Sequence, residues 1–334
     1  MRRLAQSLVG LALLCSAYPS RAHHSYLQYG EEIREVRGEL LSLSWKNPHP
    51  ELTIKSVDAS GRELLWHLES FSSPYVLSRM GVTREDFAIG SEVTVAGRLS
   101  RRAPNEMLLT HLLRADGSEV ITTPAGEPFW ADAPVGGSAN WTEATVAPDE
   151  DLGHFRVWSL DRIGRGTTHY SFTPEALAAR ASFDEVGSYV ENCEQPGMPT
   201  AMMAAFPFEL IDARDRIVLR TEYHDIERTI HMTSADASAV PPSKLGYSIG
   251  HWEQGGRTLV VETTRIDWPW FDIVGTPQSP AVAIRERFTL NDDGVSLSYH
   301  RTVEDPATFT EPATAESTYL ALGESIQRFD CRPS

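Results

Sequence analysis

Between residues 33 and 115 apolar and polar side chains alternate in five short runs, and one helix signal interrupts them. A period of two belongs to strands with one buried face and leaves little room for other local structure. The runs fall at 35–44, 51–58, 63–69, 91–99 and 107–114. Asp58-Ala59-Ser60-Gly61 supplies a hairpin turn between the second and third runs. Before the fourth, Ser73 suits a helix N-cap, Pro74 the first helical position and Gly81 the stop. Three strands, a helix and two strands is the order of an OB-like five-stranded barrel, assigned here to residues 23–118.

Residues 119–153 lose the period and fill with Pro, Gly and acidic residues, which reads as a linker. From 154 to 334 a second unit begins. Thr173-Pro174 repeats the helix-start logic, and strand-like runs follow at 208–211, 216–222, 227–232, 248–254, 258–265, 283–290, 295–302, 317–321 and 325–330. Turn sequences such as Gly255-Gly256 and Asn291-Asp292-Asp293-Gly294 separate them. The chain is therefore expected to be mainly β, with the OB-like barrel followed by a larger antiparallel β-barrel (lipocalin-like) or sandwich.

The N-terminus has the pattern of an export leader. Arg2 and Arg3 precede a mostly apolar stretch from 4 to 17, and Ser20-Arg21-Ala22 offers small residues at a cleavage site. The expectation is a signal peptide over 1–22 and a periplasmic or secreted mature protein. No later stretch approaches the roughly 20 apolar residues of a membrane helix. Loss of Arg2, Arg3 and Arg21 leaves 27 basic against 46 acidic side chains, a formal charge of −19. Such a surface repels nucleic acid, despite the small cluster Arg98, Arg101 and Arg102, and favours cations. Cys193 and Cys331 are the two cysteines left after the leader, and in an oxidising compartment they are expected to pair. Two free thiols or a soft-metal site are the alternatives, without a Cys-x-x-Cys spacing to support them.

Cleavage after Ala22 would expose His23 as the first residue. A free α-amine titrates near pH 8, so it can lose its proton and chelate a metal together with its own imidazole. His24 adds a second ring, and His49 a third from a loop that OB barrels often use for binding. A nitrogen-rich set of this kind suits copper, so His23, His24 and His49 are the candidate metal ligands. In the second unit Glu222, His224, Arg228, His231, Glu262 and Glu286 lie on neighbouring strands and are candidates for a polar pocket that takes a small organic molecule. His67 and His111 read as structural. Gly246-Tyr247-Ser248-Ile249-Gly250 matches a serine-hydrolase pattern, but a strand follows where the nucleophile elbow needs a helix.

Some of these residues also carry a resemblance. His23-His24-Ser25, Ser44-Trp45-Lys46-Asn47-Pro48-His49, Trp66-His67-Leu68-Glu69 and Ser72-Ser73-Pro74 stand in the order seen in a family of small secreted bacterial domains of unknown function. The similarity covers about residues 23–121 and implies an OB-like fold and export. The second half resembles another uncharacterised bacterial module through Cys193 to Pro199, Arg228-Thr229-Ile230-His231, Gly250-His251-Trp252-Glu253, Leu259 to Thr263, Glu286-Arg287-Phe288 and Glu304-Asp305-Pro306. Neither resemblance implies an activity. The sequence predicts an exported binding protein for a metal ion or small molecule, with copper as the metal. The alternative is an enzyme or carrier that uses the pocket of the second barrel. A third class, a protein-docking module, would use Trp130, Trp141, Trp268 and Trp270.

Overall fold

The computed structural model describes residues 28–137, 153–162, 166–184, 188–190, 192–233, 236–323 and 325–331. The leader, His23, His24 and Trp141 lie outside the described residues. The first unit consists of β1 (Tyr29–Ser44), β2 (Glu51–Val57), β3 (Glu63–Ser70), α1 (Pro74–Arg79), β4 (Glu92–Ser100), β5 (Glu106–Arg114), β6 (Glu119–Ile121) and β7 (Val135–Gly136). Its strands pair in the order β3-β2-β1-β4-β5-β6-β7, and a parallel β3–β5 pairing brings the first five into a ring. β1 serves two neighbours, β4 along Tyr29–Glu39 and β2 along Glu39–Ser44. Gly97 sits at a register shift in β4, where an added Cβ would lie 2.1 Å from the Leu108 carbonyl oxygen. Only glycine permits that approach.

α1 starts as its sequence dictates. The Ser73 hydroxyl accepts from the Val76 N–H at 3.3 Å, Pro74 opens the helix, and Gly81 leaves it with φ +75°. The helix lays Val76, Leu77 and Met80 on the strands' inner face, against Leu40, Ile54, Leu68, Val95 and Leu112. The stretch read as a linker departs from that reading. Residues 119–137 continue the first sheet through β6 and β7. The buried Glu119 carboxylate accepts the N–H groups of Phe129, Trp130 and Ala131 at 2.8, 2.9 and 2.8 Å. Strands of three and two residues are too short to show a period.

The second unit contains β8 (Val157–Leu160), β9 (Thr167–His169), α2 (Pro174–Ala181), β10 (Phe208–Asp212), β11 (Arg216–Thr221), β12 (Ile226–His231), β13 (Tyr247–Glu253), β14 (Thr258–Thr264), β15 (Ala283–Leu290), β16 (Ser296–Glu304) and β17 (Ala313–Leu320). The pairing runs β16-β15-β14-β13-β12-β11-β10-β8-β17 and closes through β16–β17, giving a nine-stranded barrel. β12 and β13 run parallel; every other ring pairing is antiparallel. Trp158, Phe208, Leu219, Ile230, Val261, Phe288 and Leu297 fill the interior at 2 % exposure or less. Residues 325–330 form no strand. They run as a strap, with a single bridge from Phe329 to Asn47 of the first unit. Cys193 and Cys331 form the expected disulfide and close a separation of 138 residues. Among the described residues no helix is long and apolar enough to cross a membrane.

Candidate functional site

The six polar residues predicted to share a pocket do not converge. Arg228 and Glu286 do meet, inside the barrel, where they are 2 % and 0 % exposed. Arg228 also donates to Ser248 Oγ at 2.9 Å and Thr263 Oγ1 at 2.6 Å, and Tyr299 donates to Glu286 Oε1 at 2.9 Å. Burial, with the Glu286 carboxylate beside it, raises the Tyr299 phenol well above its ordinary value, so it stays a donor. This is a closed ion pair in a packed core. Ser248, the would-be nucleophile of the hydrolase pattern, is a strand residue bonded to Arg228.

The other four lie elsewhere. Glu262 is exposed, because Leu259, Val261 and Thr263 take the inward positions of β14 and a strand alternates. His231 ends β12 with its ring 4.7 Å from Tyr247. Glu222 and His224 lie beyond the end of β11, in a turn that faces the first unit. There His224 and Asp225 take φ of 56° and 50° in succession, left-handed backbone that is uncommon outside glycine and is held here by a local constraint. The strap supplies that constraint. Asp225 Oδ1 accepts the Phe329 N–H at 3.0 Å, and the Phe329 ring stacks 4.5 Å from His224. The His224 carbonyl accepts from Gln195 Nε2 at 3.1 Å.

Glu222 is the centre of this joint. It is 2 % exposed, and its carboxylate accepts from Asn47 Nδ2 at 3.2 Å and from the Gln327 N–H at 2.8 Å. Asn47 comes from the β1–β2 loop, one residue ahead of Pro48-His49, and its carbonyl accepts the Asp330 N–H at 3.2 Å. Lys46 lies 3.4 Å from Glu51 and 3.9 Å from Asp330. Tyr75 and Arg79 of α1 complete the contact, donating to the carbonyls of Leu160 and Asp161 at 3.0 and 3.1 Å. The asparagine of the Asn-Pro-His element, the left-handed turn and the strap therefore meet at one place.

Between them lies a cleft of about 800 Å³, walled by Trp45, Lys46, Tyr75, Glu222, Arg328 and Asp330 among others. That volume is inside the range of about 300–1,000 Å³ of small-molecule sites. Arg328 is exposed, and its guanidinium makes no hydrogen bond or ion pair among the described residues. Asn47 is 95 % buried, and its Oδ1 has no hydrogen-bond partner among the described residues. Lys46, Asn47 and Arg328 were not singled out from sequence as site residues. The available pointers were the Trp45-Lys46-Asn47-Pro48-His49 run that carries the resemblance, and Cys331, whose disulfide ties down the strap.

His49, two residues beyond Asn47, is half-buried. Nearby, the Tyr29 hydroxyl donates to Glu69 Oε2 at 3.1 Å, and Glu69 pairs across the strands with Glu51. Desolvation pushes the Glu69 carboxyl up to about 8; the Tyr29 hydrogen bond opposes the shift, and the charges of Glu51 and Glu106 add to it. Among the described residues no group of three or more His, Cys, Asp and Glu side chains is placed to hold a metal ion. Trp268 is buried in the barrel core, and His111 is held by Thr110 and the Glu127 carbonyl at 2.9 and 3.0 Å. Compared with known proteins, residues 11–107 are similar to a family of unknown function (DUF6152). No curated protein matches the chain. The family similarity spans the Asn-Pro-His side of the cleft and stops short of the side that carries Glu222 and the strap.

Proposed function

We propose that this chain is an exported binding protein that takes a small polar molecule into the cleft between its two units. The observation that carries the reading is the cleft's construction. Its floor is a buried carboxylate–amide joint between the units, its rim holds a guanidinium without a partner among the described residues, and a left-handed turn follows Glu222 in the chain. Strained turns that the surrounding fold holds in place gather at binding sites. The test is a thermal-shift panel of small organic anions, cations and zwitterions on the mature protein and on Arg328→Gln. The expected result is at least one class that raises the melting temperature of the wild type and not of the variant. If no class does so, or the variant responds equally, the cleft is not the site.

A second reading, copper at His23, His24 and His49, has one observation in its favour. The Tyr29–Glu69 contact brings the chain in beside the strand ends that flank the His49 loop. His24 is four residues ahead of Gln28, a reach of roughly 13–14 Å when extended. A Cu(II) titration of protein starting at an authentic His23, against protein with one extra residue ahead of it, decides this. Equal affinity and spectrum would remove the α-amine, and the copper reading with it.

A further inference from the structure

We infer that the molecule taken into the cleft is a small organic monoanion, a carboxylate carried on an apolar body. The inference rests on the cleft reading above and names its ligand class. Among the described residues four charged side chains stand in the wall, Lys46, Glu222, Arg328 and Asp330, and three of them are already spent. Glu222 is buried, and each of its oxygens accepts a hydrogen bond, Oε2 from Asn47 Nδ2 and Oε1 from the Gln327 N–H. Lys46 and Asp330 lie 3.9 Å apart, and Lys46 also has Glu51 at 3.4 Å. Arg328 is exposed and has no partner among the described residues. The charge left to recruit a ligand is therefore positive.

The kind of anion follows from what surrounds that guanidinium. Its planar fork of donors matches the two oxygens of a carboxylate in bidentate fashion. One free cation balances one charge, and the second charge of a dianion would face Asp330 and Glu222 across the same cleft. The rest of the wall offers little to a polar ligand. Pro74 and Pro207 have no N–H to donate, and the Tyr75 hydroxyl is committed to the Leu160 carbonyl at 3.0 Å. Together with the Trp45 ring they give the cleft apolar surface. A wholly hydrophilic anion leaves that surface wet, whereas a ligand with an apolar body covers it and gains from its burial. The chain carries 46 acidic against 30 basic side chains and repels anions at long range, so contacts inside the cleft must supply the selectivity.

The test uses probes that share a ring and arm and differ in charge, 3-phenylpropionate, its amide and phenethylamine, with acetate as the carboxylate that lacks a body. Calorimetric titration of the mature full-length protein is expected to give saturable binding of 3-phenylpropionate, with each of the others roughly tenfold or more weaker. Arg328→Gln, a change at an exposed side chain, is expected to weaken the carboxylate by roughly tenfold or more and to leave the amide unchanged. Arg328→Lys, which keeps the charge and loses the fork, should fall between. Amine or amide binding as tight as the carboxylate would overturn the anion, and the cleft then stands or falls on whether Arg328→Gln weakens it. Acetate binding as tightly as 3-phenylpropionate would overturn the apolar body. Carboxylate binding that Arg328→Gln does not alter would overturn both the anion and the cleft. If neither 3-phenylpropionate nor hexanoate gives heat, the anion fails, and the thermal-shift panel alone then judges the cleft.

Discussion

Removing the Cys193–Cys331 bridge tests the strap that forms one wall of the cleft. The bridge closes 138 residues, nearly the whole second barrel. The chain-entropy relation gives about 17 cal/mol/K for a loop of that length, or ~5 kcal/mol at 25 °C. For a unit of this size roughly 2–4 °C follows each kcal/mol, so the barrel's melting temperature should fall by roughly 10–20 °C in Cys193→Ser/Cys331→Ser. The structure adds a local consequence. The N–H groups of Gln327, Phe329 and Asp330 are held by Glu222, Asp225 and Asn47, and the bridge anchors the end of that run. Amide exchange in 325–331 should therefore accelerate well before the barrel opens. Calorimetry and peptide-level exchange read both quantities on the same preparation. A loss below about 1 kcal/mol with the strap amides still protected would refute the reasoning, because the strap would then be held by its own contacts.

Three further outcomes follow from the geometry. Glu286→Gln should cost about 3–5 kcal/mol by leaving the Arg228 guanidinium uncompensated in the core, whereas Arg228→Met/Glu286→Leu should recover most of it; urea melts of both variants check this. Glu69 titrates near 8 in the folded protein, above its ordinary value, so the folded state favours its protonated form. Its stability penalty is absent below about pH 4.5, grows as pH rises, and is complete above about 8; the ceiling is about 5 kcal/mol at 1.4 kcal/mol per unit, reduced by partial exposure. Glu69→Gln should flatten stability across that window, and an unchanged pH profile in the variant would contradict the assignment. Glu119→Ala should loosen residues 129–131, whose N–H groups lose their common acceptor, at a cost of about 1.5–3 kcal/mol seen by denaturation.

Much of the fold was legible because strands and caps write themselves locally. The run at 283–290 appears as β15 with the same ends, and Ser73-Pro74 and Thr173-Pro174 open α1 and α2. The disulfide was legible from an even count. Glu262 was not legible, because Leu259, Val260 and Val261 are apolar on both parities of β14 and leave its inward face open. Nor were Glu222 and His224. Two residues apart they would share a face in a strand, but the chain turns at Glu222 and enters left-handed backbone. The strap is illegible for a plainer reason. Its backbone N–H groups bond to side chains 104 and 105 residues away, and no local period reports such partners. The pairing of Arg228 with Glu286 depends on barrel register, which a single strand's sequence does not contain.

The claim on which the cleft depends is that the Asn-Pro-His loop, the Glu222 turn and the strap form one cooperative site. Amide exchange of the mature protein against Glu222→Ala tests it most directly, followed in peptides over 45–51, 221–226 and 325–331. The prediction is faster exchange in all three, with the rest of both barrels unchanged. Faster exchange confined to 221–226 would contradict it, and the two units would then merely touch where a binding site has been inferred.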